Sequence, residues 1–316
     1  MNDLRLGILL WNQATEWPAY EDGARRVEEL GYDHLWAWDH LHPIFGDPDQ
    51  PIFEGWMSLA GWAKVTTRIR LGLLVGAIPF RNPGLVAKMA TTLDHISGGR
   101  AILGLGGAWF EYEHIAHGIG FGKSVGERLD WLDEACAAIR EVVDGGRYTS
   151  PPGSHYAFQD LRQEPRPIQP HLPIMIGGAG EKKTLCTVAR YGDLWNTRGT
   201  PDVLRRKVEV LERHCADVGR DPTTIERTVG CNIFIRDTQA EAQQIFEATM
   251  AANKTPMSRV ANDPTIWIGA PEQIAEQLIE ARDLGFNTAI AEVAAPWDWE
   301  TLERLIGEVK PLVDAV

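Results

Sequence analysis

The sequence has 316 residues, of which 44% are hydrophobic and 24% charged, a composition typical of a soluble globular protein. This length allows either two ordinary domains or one large α/β barrel, and no apolar stretch of about 18 residues predicts a membrane span. Lysine and arginine total 31 against 44 for aspartate and glutamate, giving a formal net charge of −13. Because such a field repels phosphate backbones and anionic lipids, we expect neither nucleic acid nor a membrane as a partner.

A short apolar run followed by a helix-period segment recurs eight times, which is the pattern of βα units around a parallel sheet. The predicted strands are residues 4–10, 33–38, 69–75, 101–105, 173–176, 193–196, 228–235 and 288–293. The sequence therefore predicts an α/β fold of the (β/α)8, or TIM-barrel, type, with residues 1–316 forming one domain.

Polar residues that can cap helices lie between these runs. The cap signals are Asn82 before Pro83, Ser124 with Glu127, Thr238 with Glu241, and the residues Pro271 and Asp298 that open the last two helices. They support at least eight helices around the strands.

Two stretches interrupt the alternation of strands and helices. Residues 144–172 contain five prolines and form an insertion, and residues 251–270 form an irregular segment. We expect insertion segments of this kind at the barrel mouth. That they have only a structural role is an equally good interpretation.

Chemistry in such barrels is expected where strands end. Asp39 and His40 end the second predicted strand, and a carboxylate can tune or orient an imidazole for acid–base work. Glu113 follows the fourth strand and is a second acid–base candidate, unless it only decorates a solvated helical turn. A metal at His40 and His42 would need further ligands at other strand ends, so we expect no metal site.

Glycines follow the fourth and fifth predicted strands. The segment Gly177, Gly178, Ala179 and Gly180 precedes a predicted helix that begins at Glu181, so its N–H groups could hold a phosphate with help from Lys182. A tight turn without a ligand is the alternative. Gly106 and Gly107 lack the G-x-G-x-x-G pattern of a dinucleotide site, and we expect them to let a ligand approach the mouth.

Tryptophans also occur at strand ends, where their rings could bound a flat aromatic ligand or simply fill the core. They are Trp11, Trp38, Trp109 and Trp195. The four cysteines show no zinc or redox spacing and are expected to be core residues in a reducing compartment. Since no export signal opens the chain, we expect a cytoplasmic protein.

Several segments together resemble the luciferase-like monooxygenase superfamily, and within it the branch that uses the deazaflavin coenzyme F420. They are LWAWDHL (35–41), RIRLGLLV (68–75), RNP (81–83), AKMATTLDHISGGRAILGLG (87–106), AWFEYEH (108–114), PIMIGGAG (173–180) and ARYGDLWN (189–196). Their order and spacing carry the resemblance, which spans nearly the whole chain.

The resemblance implies a TIM barrel with a deazaflavin or flavin in its mouth and a phosphate on the 177–180 turn. It implies that Asp39 and His40 lie beside the coenzyme ring, and that Leu74 and Val75 form a non-prolyl cis peptide supporting that ring. Trp109 stands where sugar-phosphate dehydrogenases of this branch have a proton-donating glutamate, so the proton donor is open between His40 and Glu113.

The sequence thus predicts an F420-dependent oxidoreductase that transfers a hydride between the coenzyme and a small organic substrate. Two alternatives stay open. One is an FMN-dependent two-component monooxygenase that uses reduced FMN and O₂, and the other is a non-catalytic flavin or deazaflavin binder. The resemblance also allows a homodimer.

Overall fold

A computed structural model describes residues 4–316 of the chain. Within that range it contains ten strands. They are β1 (Arg5–Leu10), β2 (His34–Ala37), β3 (Arg70–Leu73), β4 (Gly76–Ala77), β5 (Ala101–Gly106), β6 (Ile174–Gly177), β7 (Leu194–Thr197), β8 (Glu226–Ile235), β9 (Ile266–Gly269) and β10 (Phe286–Val293). All eight predicted strands are confirmed, the third being divided into β3 and β4.

Eleven α-helices lie within the same described residues. They are α1 (Trp17–Leu30), α2 (Gly55–Val65), α3 (Pro83–Ser97), α4 (Glu111–Ala116), α5 (Val125–Val143), α6 (Thr184–Tyr191), α7 (Pro201–Asp217), α8 (Gln239–Ala252), α9 (Pro271–Asp283), α10 (Trp299–Arg304) and α11 (Lys310–Asp314). The predicted caps are confirmed, since Asn82, Ser124, Thr238 and Asp298 each accept a backbone N–H of the following helix. No helix among residues 4–316 is long and apolar enough to cross a bilayer.

The strands form a closed parallel barrel, which confirms the predicted (β/α)8 fold. The hydrogen-bonded order is β10, β1, β2, β3, β5, β6, β7 and β8, and β8 returns to β10. β4 continues β3 beside β5, and β9 pairs with the far end of β8 outside the closed barrel. Because all strands run parallel, their carboxyl ends meet at one mouth.

Side chains alternate between the barrel interior and the helix layer, as the two-residue strand period requires. On β2, Trp36 and the following Trp38 belong to the interior cluster, whereas Leu35 and Ala37 pack against the helices. Trp36 is fully buried and fills the barrel below the mouth. The large cavity at the mouth lies above this layer.

The break between β3 and β4 brings Val75 into the barrel interior. The expected non-prolyl cis peptide is present between Leu74 and Val75. A Cβ atom at Gly106 would lie 2.6 Å from Val75 Cγ2, and one at Gly177 would lie 2.8 Å from the same atom. Glycine at the ends of β5 and β6 is thus what allows the Val75 side chain to occupy this position.

The two interruptions have different locations. Residues 163–169 of the insertion run along α3, where Gln163 donates to the Ala87 carbonyl and Gln169 to that of Ala101 at the amino end of β5. The segment near residue 254 does reach the mouth, since Lys254 pairs with Asp47 at 2.5 Å. The segment predicted as irregular over 251–270 also contains β9, so that part of the prediction is wrong. The short apolar run IWIG is the sequence signal that indicates this strand.

The buried His34 at the start of β2 makes stability depend on pH. Burial, together with the charges of Arg70 and Arg5, lowers the pKa of His34 from 6.5 to about 3. Below pH 6.5 the unfolded chain takes up a proton that the folded chain cannot, so stability falls as the pH falls.

We expect the free energy of unfolding of the wild type to lose about 2 kcal/mol through this residue between pH 7.5 and pH 5. In His34→Gln that part of the pH dependence disappears, because glutamine does not titrate. Urea unfolding at several pH values gives the free energy of unfolding of each protein as a function of pH. Parallel curves for the two proteins would contradict the assignment.

The contact between Val75 and Gly106 predicts a coupled pair. Gly106→Ala should lower the free energy of unfolding by about 1–3 kcal/mol, because the added methyl overpacks the barrel against Val75. The same change in a Val75→Ala background should cost much less, since the clashing methyl group is gone. Gly307→Ala is the control, because nothing lies within 4 Å of its added Cβ. Equal costs of Gly106→Ala in both backgrounds would show that this contact is not the cause.

Candidate active site

A cavity of about 550 Å³ opens at the barrel mouth, above the interior tryptophans. Most of the residues predicted for the site line it. They are Asp39, His40, Leu74, Val75, Gly106, Gly107, Trp109, Glu113, Gly177, Gly178 and Gly180. The carboxyl ends of four neighbouring strands and the loops after β2 and β5 therefore bring these residues together.

His40 is held by a buried carboxylate. Its Nδ1 lies 2.8 Å from Oε1 of Glu113, and Oε2 of Glu113 accepts the backbone N–H of Leu41, also at 2.8 Å. The Glu113 side chain is 1% exposed and that of His40 14%. An ionised Glu113 keeps a proton on Nδ1, which leaves Nε2 as the ring nitrogen available to a ligand.

Asp39 has a different role from the one predicted. The two terminal nitrogens of Arg81 donate hydrogen bonds to the Asp39 carboxylate oxygens at 2.8 and 2.9 Å. Oδ2 also accepts the N–H of Ala77. Burial raises the pKa of Asp39, and Arg81 opposes that rise. The prediction that Asp39 orients the His40 ring is wrong, because Glu113 from α4 does so while Asp39 ties β2 to the loop after β4.

His114, next to Glu113 in the chain, is not available for the same chemistry. It is fully buried, with Phe80 and Phe121 packed 4.6 and 4.7 Å away between ring centroids. Burial lowers the pKa of His114, which favours the neutral ring. The two adjacent residues thus point to different surroundings, as neighbouring positions on a helix do.

The turn after β6 combines glycines with a hydroxyl group. The N–H of Gly178 is used by the carbonyl of Asn196 at 2.9 Å, while the N–H groups of Ala179 and Gly180 have no acceptor among residues 4–316. A Cβ at Gly180 would lie 2.7 Å from Thr184 Oγ1. Thr184 opens α6 and lines the cavity, so its hydroxyl and the free N–H groups could hold an anion.

Lys182 does not contribute to this turn. The helix begins at Thr184 and not at Glu181, so Lys182 precedes it and is exposed to solvent outside the cavity. Lys183 pairs with Asp130 at 2.6 Å. The predicted electrostatic help from lysines in the first helical turn is therefore wrong, because the chain makes an extra turn before the helix starts.

Two of the predicted tryptophans lie behind the cavity wall. Trp195 is fully buried among the helices, and its Nε1 donates to the Gly178 carbonyl at 2.9 Å, which supports the turn. Trp11 is 3% exposed and stacks on Phe45 at 4.9 Å. Neither ring borders the open space, whereas Trp38 and Trp109 do.

An ion pair that the sequence patterns did not predict crosses the cavity wall. Arg198, just after β7, lies 3.0 Å from Glu292 on β10, and its other terminal nitrogen donates to Asn232 at 2.6 Å. Glu292 also accepts the indole N–H of Trp38 at 2.8 Å. Both charges sit at strand ends, so extending the strand-end rule to β10 would have found Glu292. Among residues 4–316, no cluster of three His, Cys, Asp or Glu could hold a metal ion.

Comparison with known proteins gives the family. Residues 7–288 match the family described as luciferase-like monooxygenase. An F420-dependent hydroxymycolic acid dehydrogenase of Mycobacterium tuberculosis is 26% identical over 293 residues, covering 86% of this chain and 80% of that protein.

Solved structures agree on the fold. An F420-dependent secondary alcohol dehydrogenase, in complex with an F420–acetone adduct, superposes with a TM-score of 0.83 at 19% identity, over 98% of this chain and 99% of that one. A type II Baeyer–Villiger monooxygenase from Pseudomonas putida, in complex with FMN, gives 0.71 at 16% identity over 98% of each chain. With the family match spanning most of its length, this chain belongs to the luciferase-like monooxygenase family.

Proposed function

We propose that this protein is an F420-dependent oxidoreductase that transfers a hydride between the coenzyme and a small organic substrate. The observation that carries the proposal is the His40–Glu113 pair at the wall of a glycine-lined cavity. Hydride transfer to or from an organic molecule is accompanied by proton transfer, and an imidazole with one nitrogen fixed by a buried carboxylate is suited to it. The similar mycobacterial dehydrogenase, named for F420, supports this choice of coenzyme.

The residues present fit a flat coenzyme with a phosphate. Gly106 and Gly107 line one wall of the cavity together with Leu74 and Val75. We assign these four residues to the coenzyme ring. The N–H groups of Ala179 and Gly180, with the Thr184 hydroxyl, are assigned to its phosphate.

When bound, the coenzyme supplies the hydride chemistry, and the protein supplies orientation and proton transfer. His40 Nε2 accepts a proton from the substrate when a hydride leaves it, and returns that proton in the reverse direction. Glu113 fixes the ring and stabilises the imidazolium that forms, because its carboxylate is buried 2.8 Å from Nδ1. Asp39 and Arg81 hold the strand ends in place and take no proton.

The coenzyme is tested by titrating the protein with F420 and with FMN, followed by turnover assays with and without O₂. We expect F420 to bind at least tenfold more tightly than FMN, a difference of about 1.4 kcal/mol, and turnover to proceed without oxygen. Tighter FMN binding with oxygen consumption would instead identify a monooxygenase. Binding of F420 without turnover of any alcohol or carbonyl compound would indicate a non-catalytic binder.

The phosphate position is tested in the same titration. Thr184→Val should weaken F420 binding about fivefold, the value of roughly one hydrogen bond, while Thr184→Ser should keep it near the wild-type affinity. The deazaflavin chromophore without phosphate should bind both variants equally. Equal losses for F420 and for this chromophore would place the phosphate elsewhere.

Proton transfer is tested at His40 and at its partner. We expect His40→Ala to lower turnover by about 10² to 10⁴ while F420 affinity changes less than tenfold. Glu113→Gln should also lower turnover, because the amide can donate to Nδ1 and so disturb the ring's protonation. Glu111→Gln, on the exposed face of the same helix, is the matched control and should turn over at the wild-type rate. Unchanged turnover in His40→Ala would remove the residue from the mechanism.

A further inference from the structure

Each charged side chain at the cavity wall is held by a protein partner. Among residues 4–316, the charged and titratable residues that line it are Asp39, His40, Glu113, Arg198 and Glu292. Asp39 is paired with Arg81, Glu113 with His40, and Arg198 with Glu292, at distances of 2.8 to 3.0 Å. A charged substrate would therefore lose its hydration without finding an unpaired counter-charge, which costs several kcal/mol.

The Arg198–Glu292 pair is the strongest argument against an anionic substrate, because a substrate carboxylate would need the Arg198 guanidinium as its partner. Every nitrogen of the Arg198 guanidinium has a protein acceptor: Nη1 faces Glu292, Nη2 donates to Asn232, and Nε donates to the Gly230 carbonyl. Glu292 is held in turn by the indole of Trp38. The Arg198 side chain is still 38% exposed, but an anion that approached it would lie beside the Glu292 carboxylate, whose charge opposes its binding.

An aromatic strip leads outward from His40 over the rim of the mouth. We define this strip as Trp109, Phe110 and Tyr112. The Trp109 ring lies 5.6 Å from His40 and 5.3 Å from Phe110, and Phe110 lies 5.9 Å from Tyr112. Trp109 is 60% exposed and Tyr112 57%. Large exposed aromatic groups next to a cavity mark a binding surface, because burying them is favourable.

Further apolar side chains line the cavity. Ile44 and Phe45, in the loop after β2, and Val125 and Leu129, at the start of α5, line the cavity. Val125 is 60% exposed. A molecule that reaches His40 from solvent therefore meets apolar side chains in addition to the aromatic strip.

We propose that the substrate is an uncharged alcohol or carbonyl compound with an aromatic or other large apolar group, which rests on the aromatic strip while its oxygen reaches His40. This substrate class rests on the proposed oxidoreductase function. Trp109 is then the residue that determines specificity, since its ring lies 5.6 Å from His40, lines the cavity and is 60% exposed. A phosphorylated or carboxylated substrate is disfavoured by the paired charges.

The first experiment measures binding without coenzyme, so that its outcome does not depend on the proposed function. The probes are 2-acetylnaphthalene, a neutral ketone, and 2-naphthoate, its anionic counterpart of similar size. We expect the ketone to bind wild-type protein at least tenfold more tightly than the carboxylate. Trp109→Ala should weaken ketone binding at least tenfold, and Leu85→Ala, an exposed apolar residue on α3 outside the cavity, should leave it unchanged.

Two reciprocal variants test the role of the ion pair. Glu292→Gln leaves Arg198 without its counter-charge and should improve 2-naphthoate binding at least fivefold. Arg198→Gln leaves Glu292 unpaired and should favour 2-naphthylmethylammonium instead. Circular dichroism identifies which variants are folded, and either folded variant is sufficient for the test.

The outcomes separate the two proposals. Equal or tighter binding of 2-naphthoate to wild type, or an unchanged ketone affinity in Trp109→Ala, would overturn the inferred substrate class. If the binding results are as expected but F420 supports no turnover of 2-acetylnaphthalene or its alcohol, the preference for neutral apolar molecules stands and the coenzyme proposal fails. If turnover occurs, Trp109→Ala should raise KM for 2-acetylnaphthalene more than for acetone.

Discussion

The interior of a closed eight-stranded barrel has room for only a few side chains, and in this protein β2 and the break in the third strand decide which ones occupy it. Trp36 fills the level below the mouth. Val75 occupies the next level, because Gly106 and Gly177 on neighbouring strands have no Cβ atoms that would collide with it. The cavity exists above this packed layer, and its shape follows from these contacts.

The same packing places the chemistry. Trp38 is two residues beyond Trp36 and reaches the cavity floor, and His40 is two residues further on at its wall. The helix α4 then supplies Glu113, whose buried carboxylate holds one nitrogen of the His40 ring. The His40–Glu113 pair is thus built from two segments that are far apart in the chain but follow strands close together in the barrel.

The chain carries a net charge of −13, and the charged side chains of its cavity are held in pairs. The paired charges Arg81 with Asp39 and Arg198 with Glu292 hold the strand ends and leave little attraction for a free ion. Within the cavity, the turn before α6 is the place best suited to an anion, because N–H groups and a hydroxyl there replace a cation. A turn suited to an anion and an aromatic rim agree with the phosphorylated coenzyme and the uncharged substrate that we propose.

The barrel can be predicted from the sequence alone, because hydrophobic periodicity and helix caps are local signals. It also marked the strand ends as the place for chemistry, and His40, Val75 and the 177–180 turn all follow from that rule. Family resemblance added the cis peptide at Leu74 and Val75, which no propensity predicts.

Which side chains contact one another follows only from the tertiary structure. His40 contacts Glu113, 73 positions away, and not its neighbour Asp39, which instead binds Arg81. Lys182 lies outside the cavity, and Arg198 contacts Glu292, 94 positions away. The proline-rich insertion runs along α3. Such contacts depend on strand register and on the direction of each side chain, and these are fixed only when the barrel closes.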